Sequence, residues 1–346
     1  MSAITPVDIK GLDRETLTEL VGQKGHKPYR ATQLFEWMHA RGARDLEAMS
    51  NVPKDLRDPE QVTLGGLQVD DVMRSKDGTR KMLLRTAAGD RLESVIIPMG
   101  TGRWTQCVSS QIGCKMGCDF CATAEMSVRK NLTSSEIVDQ IYHARSLMAE
   151  EDMQVNNLVF MGMGEPLDNL DNVIPALRIL LDQKGAAFGQ RRITVSTVGL
   201  VPKIPLLAES VPINLAVSLN ATTDELRSKL MPINRKYNLA QLLQALRDFP
   251  MAPRRRIFVE YVMLGGVNDT DEDAKRLPQL LHGVRAKINL IPFNPYPGSR
   301  FVSPTEERVA YFLDKLHKAG IQTNIREPKG RDIEAACGML DGAQPI

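Results

Sequence analysis

The sequence predicts an α/β protein: a curved sheet or incomplete parallel barrel behind a small helical N-terminal unit. Three observations lead there. From residue 104 onward, six β-rich runs recur with helix-like stretches between them. Residues 1–60 carry a helical rather than a strand periodicity. Cys114, Cys118 and Cys121 crowd together directly after the first of the six runs, where the loops of a parallel barrel gather chemistry.

Taken in order, "DRETLTELV" and "YRATQLFEWMHARG" place apolar residues three and four apart, and Gly42 is a natural stop for the second helix. The stretches "QVTLGGLQVDDVM", "TRKMLLRT" and "RLESVIIP" are short, partly alternating and separated by Asp-Gly and Gly-Asp turns, which fits a small antiparallel element. The six runs follow: "TQCVSSQIG", "NNLVFMGMG", "RRITVSTVG", "INLAVSLNA", "RIFVEYVML" and "KINLIPFNP". Helical stretches such as "SSEIVDQIYHARSLMAE", "NLAQLLQALRDF" and "SPTEERVAYFLDKLHKAG" separate or follow them, so the runs read as parallel βα units. The division expected is 1–90, a helical accessory region with the start of the antiparallel element, and 91–346, a catalytic core.

Composition narrows the functional class. The opening "MSAITPVDIKGLDRE" lacks an apolar signal-peptide core, and nowhere do about 18 apolar residues run together. A cytoplasmic protein with no membrane partner is expected. Cysteines stay reduced in that compartment, so a cluster of them points to metal or chemistry rather than to a staple. Net charge is only +2, so no global field marks a nucleic-acid binder. Basic clusters at 74–81, 190–192 and 253–256 are compatible with RNA phosphates and equally with solvated surface.

Cys114, Cys118 and Cys121 form C-x3-C-x2-C, and two physical readings compete for it. A structural zinc site wants four closed ligands, which Cys107 or Cys337 could complete. A four-iron cluster held by only three thiolates leaves one iron open to a small molecule. Colourless protein carrying zinc and no activity would mark the first reading, a zinc-stabilised RNA-binding module. Brown protein carrying iron and sulfide would mark the second.

C-x3-C-x2-C after the first strand of a partial barrel resembles the radical S-adenosylmethionine (SAM) superfamily. Further segments, in order, are "CVSSQIGCKMGCDFCAT", "RKNLTSSEIVDQI", "FMGMGEPLDNLDNV", "RRITVSTVG", "MPINRKYN", "EYVMLGGVND", "KINLIPFNP" and "IEAACGML". Together with "YRATQLFEWMH" near the N-terminus, they are similar over nearly the whole chain to the bacterial adenine-C2 methyltransferases of ribosomal and transfer RNA. The resemblance implies a partial (β/α)6 radical-SAM barrel with a small N-terminal helical accessory domain. It also implies a [4Fe-4S] cluster on Cys114, Cys118 and Cys121, and two SAM molecules per turnover. The substrates would be 23S rRNA at the peptidyl-transferase centre and tRNA at the adenine beside the anticodon. A flavodoxin-type electron donor and a monomeric state complete the expectation. A sister family that methylates adenine C8 and confers antibiotic resistance shares nearly all these motifs and is the alternative.

The chemistry accounts for the residues. Carbon 2 of adenine lies between two ring nitrogens and has no lone pair, so it is a poor nucleophile toward the SAM methyl, whereas a radical can add to it. The resemblance implies that Cys337 first takes a methyl as a thioether, that Cys107 is the thiol that later releases the product through a transient disulfide, and that Glu93 is the proton acceptor. It further implies SAM contacts at Gly164, Glu165, Ser196, Ser218, Leu219, Asn220 and Asn294. Taken alone, Cys107 and Cys337 read as small buried residues, Glu93 as an exposed glutamate, and the rest as polar groups at strand ends. The family pattern is broken in three places. Asn220 stands where histidine is common, one extra residue separates Glu93 from Cys107, and "AEMSVRKNLT" lacks a customary glycine.

Overall fold

The computed structural model describes residues 6–342 apart from Thr101 and Val128. Residues 1–5 of the opening stretch and Val128 of "AEMSVRKNLT" thus lie outside the described residues. Two helices open the chain, α1 (Arg14–Gln23) and α2 (Tyr29–His39). The Asp13 side chain caps α1 by accepting from Thr16 N at 3.0 Å. Gly42, the expected stop, adopts φ 69 just past the end of α2.

One sheet of ten strands dominates the rest. Its members are β1 (Gln68–Arg74), β2 (Arg80–Arg85), β3 (Arg91–Met99), β4 (Arg103–Cys107) and β5 (Val155–Phe160). They continue as β6 (Ile193–Thr197), β7 (Asn214–Ser218), β8 (Ile257–Met263), β9 (Ala286–Pro292) and β10 (Thr323–Ile325). Strand order in space equals order in sequence. β1 to β4 run antiparallel, and β4 to β10 pair in parallel.

The expected antiparallel element is continuous with the barrel, because β3 hydrogen-bonds to β4 and extends the same sheet. The division at residue 90 therefore falls in the β2–β3 turn, with strands of one sheet on both sides. A seventh parallel strand, β10, joins the six expected, since "TNI" is too short and polar to stand out as an apolar run.

Outside the sheet lie α3 (Ser134–Ala149), α4 (Leu170–Leu181), α5 (Ile204–Ser210), α6 (Asp224–Leu230), α7 (Leu239–Asp248), α8 (Asp271–Leu280) and α9 (Glu306–Lys318). Thr133 and Glu136 close a reciprocal capping box that starts α3. Leu177 and Leu180 of α4, and Ile137 and Ile141 of α3, are fully buried. Each such side chain contributes about 1.5–3 kcal/mol of burial, which is what holds the helices to the sheet. The N-terminal unit docks on this helical layer through a buried Lys10–Asp139 pair, a 2.7 Å bond between His39 Nδ1 and the Tyr142 hydroxyl, and Arg178 to Asp13 at 3.1 Å. Because β4 to β10 are parallel, their C-terminal ends and following loops open on one mouth of the sheet.

Candidate active site

All five cysteines line one cleft of about 1240 Å³ at that mouth. Cys114, Cys118 and Cys121 sit on the loop after β4. Gly117, at φ 67, supplies the left-handed turn between the first two. Burial pushes the Cys114 thiol up to about 12 and also raises Cys118 and Cys121. Three sulfur ligands so desolvated are costly as thiolates unless a cation shares them. Among the described residues, no three His, Cys, Asp or Glu side chains converge to hold a single metal ion, as a structural zinc site requires. A four-iron cluster takes one thiolate per iron, so three thiolates on one loop leave one iron open to a small molecule.

Gly164, Glu165, Ser196, Ser218, Asn220 and Asn294 line the same cleft, Ser196 and Ser218 at the C-terminal ends of β6 and β7 and the others on the loops after β5, β7 and β9. Gly164 is at φ 94, and a Cβ there would stand 2.4 Å from Gln111 Cβ, so only glycine fits. Glu165 is buried and bridges two loops, accepting from Leu167 N at 3.0 Å and Val198 N at 2.9 Å. Burial, the dominant cause, pushes its carboxyl up to about 7. Asn220 has φ 56, a left-handed conformation that asparagine tolerates. Its Oδ1 accepts from Val262 N at 2.8 Å, so the amide at the usual histidine position is bound to the next strand.

Cys107 ends β4 and is buried, with its thiol raised to about 12 chiefly by desolvation and then by Cys337. Cys337 lies on the C-terminal segment. It is accessible because it faces the open cleft, yet protein surrounds it closely enough that burial still raises its thiol, and the Arg326 charge opposes this. That segment is tied down at many points. Gly330 N donates to Asp77 at 2.9 Å, Ala122 N to Gly338 O at 2.9 Å, and Asn294 Nδ2 to Cys337 O at 3.2 Å. Thr123 Oγ1 donates to Leu340 O at 2.6 Å.

Two expected site residues stand apart from the cleft wall. Glu93 is fully buried. Its Oε1 lies 2.8 Å from Lys81 Nζ, and its Oε2 accepts from Asp341 N at 3.0 Å and Gly342 N at 3.2 Å. It is therefore a clasp on the segment that follows Cys337 in this conformation rather than an exposed glutamate. Burial raises its carboxyl, and Lys81 opposes the rise. Leu219 is fully buried, and its backbone N–H donates to Glu260 O at 3.0 Å.

Three charged residues near the site were not singled out by sequence. Arg227 is fully buried and ties the post-β6 and post-β7 loops through Val198 O, Ser218 O and Leu219 O at 2.7, 3.0 and 3.0 Å. Glu260 and Arg326 line the cleft and also a second cavity of about 1830 Å³, which runs toward the opposite mouth of the sheet; Cys337 stands where the two meet. The available signal was a carboxylate in the middle of the apolar strand "IFVEYVM".

Residues 108–277 match the model of the radical SAM superfamily, and residues 7–60 match that of the ribosomal RNA large subunit methyltransferase N-terminal domain. A dual-specificity RNA methyltransferase RlmN of Geobacter sulfurreducens is 50% identical over 98% of this chain and 93% of its own length. The RlmN protein of Pelobacter propionicus is 47% identical over 97% of this chain and 96% of its own. A solved radical SAM methyltransferase from Sphaerobacter thermophilus superimposes with a TM-score of 0.90 at 41% identity, covering 98% of this chain and 100% of that one.

Proposed function

The chain belongs to the RlmN family of dual-specificity RNA methyltransferases within the radical SAM superfamily, and on that premise we propose that it methylates carbon 2 of adenine in 23S rRNA and tRNA through a methylated Cys337. It is a SAM-dependent RNA methyltransferase that uses a [4Fe-4S] cluster. The names of its relatives favour this reading over the C8 sister activity. One observation carries the residue roles: Cys107 and Cys337 share a single cleft with the three clustered cysteines.

Cys114, Cys118 and Cys121 would hold the cluster, with Gly164, Glu165, Ser196, Ser218, Asn220 and Asn294 around SAM and Leu219 contributing backbone. The bound cluster supplies the electron that splits SAM reductively and so provides a hydrogen-abstracting radical. The chain's own residues do the rest. The Cys337 thiolate attacks the methyl carbon of a first SAM, S-adenosylhomocysteine leaves, and Cys337 becomes a thioether. After that methyl loses a hydrogen, its carbon bonds to C2 of the adenine, joining protein and RNA. Glu93 takes the C2 proton, which requires it to leave the amides of Asp341 and Gly342. The adduct's unpaired electron would return to the bound cluster. Cys107 then attacks the Cys337 sulfur, the sulfur–carbon bond breaks, and the released carbon keeps the bonding pair and takes a proton to become the methyl group. The disulfide left behind is reduced before the next cycle.

Residues 1–90 are assigned to RNA contact and 91–346 to catalysis. The target adenine leaves its stack to reach Cys337, at a cost of a few kcal/mol. Among the described residues no helix is long and apolar enough to cross a membrane. A cytoplasmic monomer served by a flavodoxin-type donor is the form proposed. The deciding experiment is anaerobic incubation with SAM, reductant and protein-free large-subunit rRNA, followed by nucleoside analysis. 2-Methyladenosine is the expected product; 8-methyladenosine or no methylation overturns the reading.

A further inference from the structure

Glu260 sits in the middle of β8, 3% exposed, with its side chain turned into the lumen of the sheet. One carboxylate oxygen, Oε1, accepts from Asn289 Nδ2 at 2.8 Å. The other, Oε2, is buried and has no hydrogen-bond partner. Buried carboxylate oxygens are rarely left so, and one facing a cavity marks a place for a donor on a ligand.

Arg326 stands across the same space, just past β10. Its backbone N–H is fixed to Leu290 O at 2.8 Å. Among the described residues, its guanidinium meets only the Met161 thioether at 3.1 Å, a weak acceptor for a group with five donors. Glu260 and Arg326 attract one another, yet no ion pair within 4.0 Å joins them. Both line the junction of the two cavities, as does Cys337. An open acceptor and an open donor thus face a shared volume beside the thiol.

We propose that Glu260 and Arg326 recognise the target base, with Glu260 Oε2 accepting from the N6 amine of adenine and Arg326 donating to its N1. This deepens the proposed function and rests on its adenine substrate. On the Watson–Crick edge, adenine offers a donor at N6 beside an acceptor at N1, the complement of these two side chains. Guanine presents the reverse pattern and meets both with like groups. Cytosine repeats the pattern of adenine but carries a carbonyl where adenine has the reactive C2–H. Carbon 2 is bonded to N1, so a base held at N1 and N6 keeps its C2 close to the gripped edge, at the junction that Cys337 occupies. A cationic donor at N1 also draws electron density from C2 and stabilises the adduct formed there. Lys287 and Asn289 on β9 are the other polar groups that face Glu260.

The test uses full-length, cluster-loaded protein under anaerobic conditions and reads binding rather than turnover. Two fluorescent tRNA anticodon stem–loops serve as probes, one with adenosine at the target position and one with purine ribonucleoside, which lacks the N6 amine. Wild type should bind the adenosine probe roughly tenfold tighter, the scale of one base-edge contact. Glu260→Leu should lose this preference while binding the purine probe as wild type does. Arg326→Met should abolish discrimination against a 1-deazaadenosine probe, and Arg326→Lys should restore part of it. Equal binding of the adenosine and purine probes by wild type overturns the proposal without any variant. A preference that persists in Glu260→Leu overturns it too. Wild-type protein that makes no methyladenosine instead defeats the underlying reading, so the two failures are distinguishable.

Discussion

Lys81 Nζ lies 2.8 Å from Glu93 Oε1, with side chains only 4% and 0% exposed. Both belong to the antiparallel extension, on β2 and β3, and both reach the C-terminal segment. Glu93 holds the amides of residues 341 and 342, and Lys81 approaches Glu334 O at 3.5 Å. The extension therefore clasps the segment that carries Cys337. Lys81→Met leaves a buried carboxylate without its counter-charge and should lower the unfolding free energy by about 3 kcal/mol, measured by urea denaturation. Adding Glu93→Gln should recover much of that loss. A neutral single variant would show that the pair anchors nothing.

The five cysteines should separate into two classes when each is replaced. Cys118→Ala should lower iron and sulfide content and abolish deoxyadenosine formation with dithionite and SAM. Cys337→Ala should keep the cluster and still yield deoxyadenosine, but transfer no methyl to RNA. Cys107→Ala should build the RNA bond and fail to break it, leaving a band of RNA-linked protein on a denaturing gel. Full methylation by Cys337→Ala would remove the thioether route.

Asn220→His installs the side chain common in the family at a left-handed position that both residues tolerate. It gives up the bond from Asn220 Oδ1 to Val262 N and should cost about 1 kcal/mol of stability. Histidine would also bring a titratable group to the SAM cleft. Equilibrium dialysis of SAM from pH 6 to 8 should show a different pH profile for the variant than for the natural protein, in which Glu165, pushed up to about 7, already titrates in that range.

His39 links pH to stability far from the chemistry. Burial, aided by the nearby Lys10 charge, lowers its pKa from 6.5 to about 3. The unfolded chain therefore binds a proton below 6.5 that the folded chain refuses. The contribution is complete above pH 6.5 and is lost at about 1.4 kcal/mol per unit as pH falls toward 3. Urea titrations at pH 7 and pH 5 should show a smaller difference for His39→Gln than for the natural protein.

Much of this was legible beforehand, for identifiable reasons. The cysteine trio and the alternation of strands with helices are local patterns, and local patterns survive folding. β10 escaped notice because three residues, two of them polar, make no run. The clasp formed by Glu93 depends on the chain end returning to β3, a contact nearly 250 residues away in sequence that no spacing encodes. Glu260 left a readable trace, a charge where the strand pattern calls for an apolar residue. Arg326 left none, because an arginine just past a short strand is ordinary until the lumen behind it is seen.

Because spatial neighbours in the ten-stranded sheet are also neighbours along the chain, a ribosome can lay it down strand by strand, each new edge waiting for the next. Only the final stretch breaks this order, crossing back to the first strands made and carrying the fifth thiol with it. A chain cut before Cys337 thus keeps the iron-binding loop but lacks the sulfur that accepts a methyl, so competence for transfer waits on a segment made long after the loop it serves.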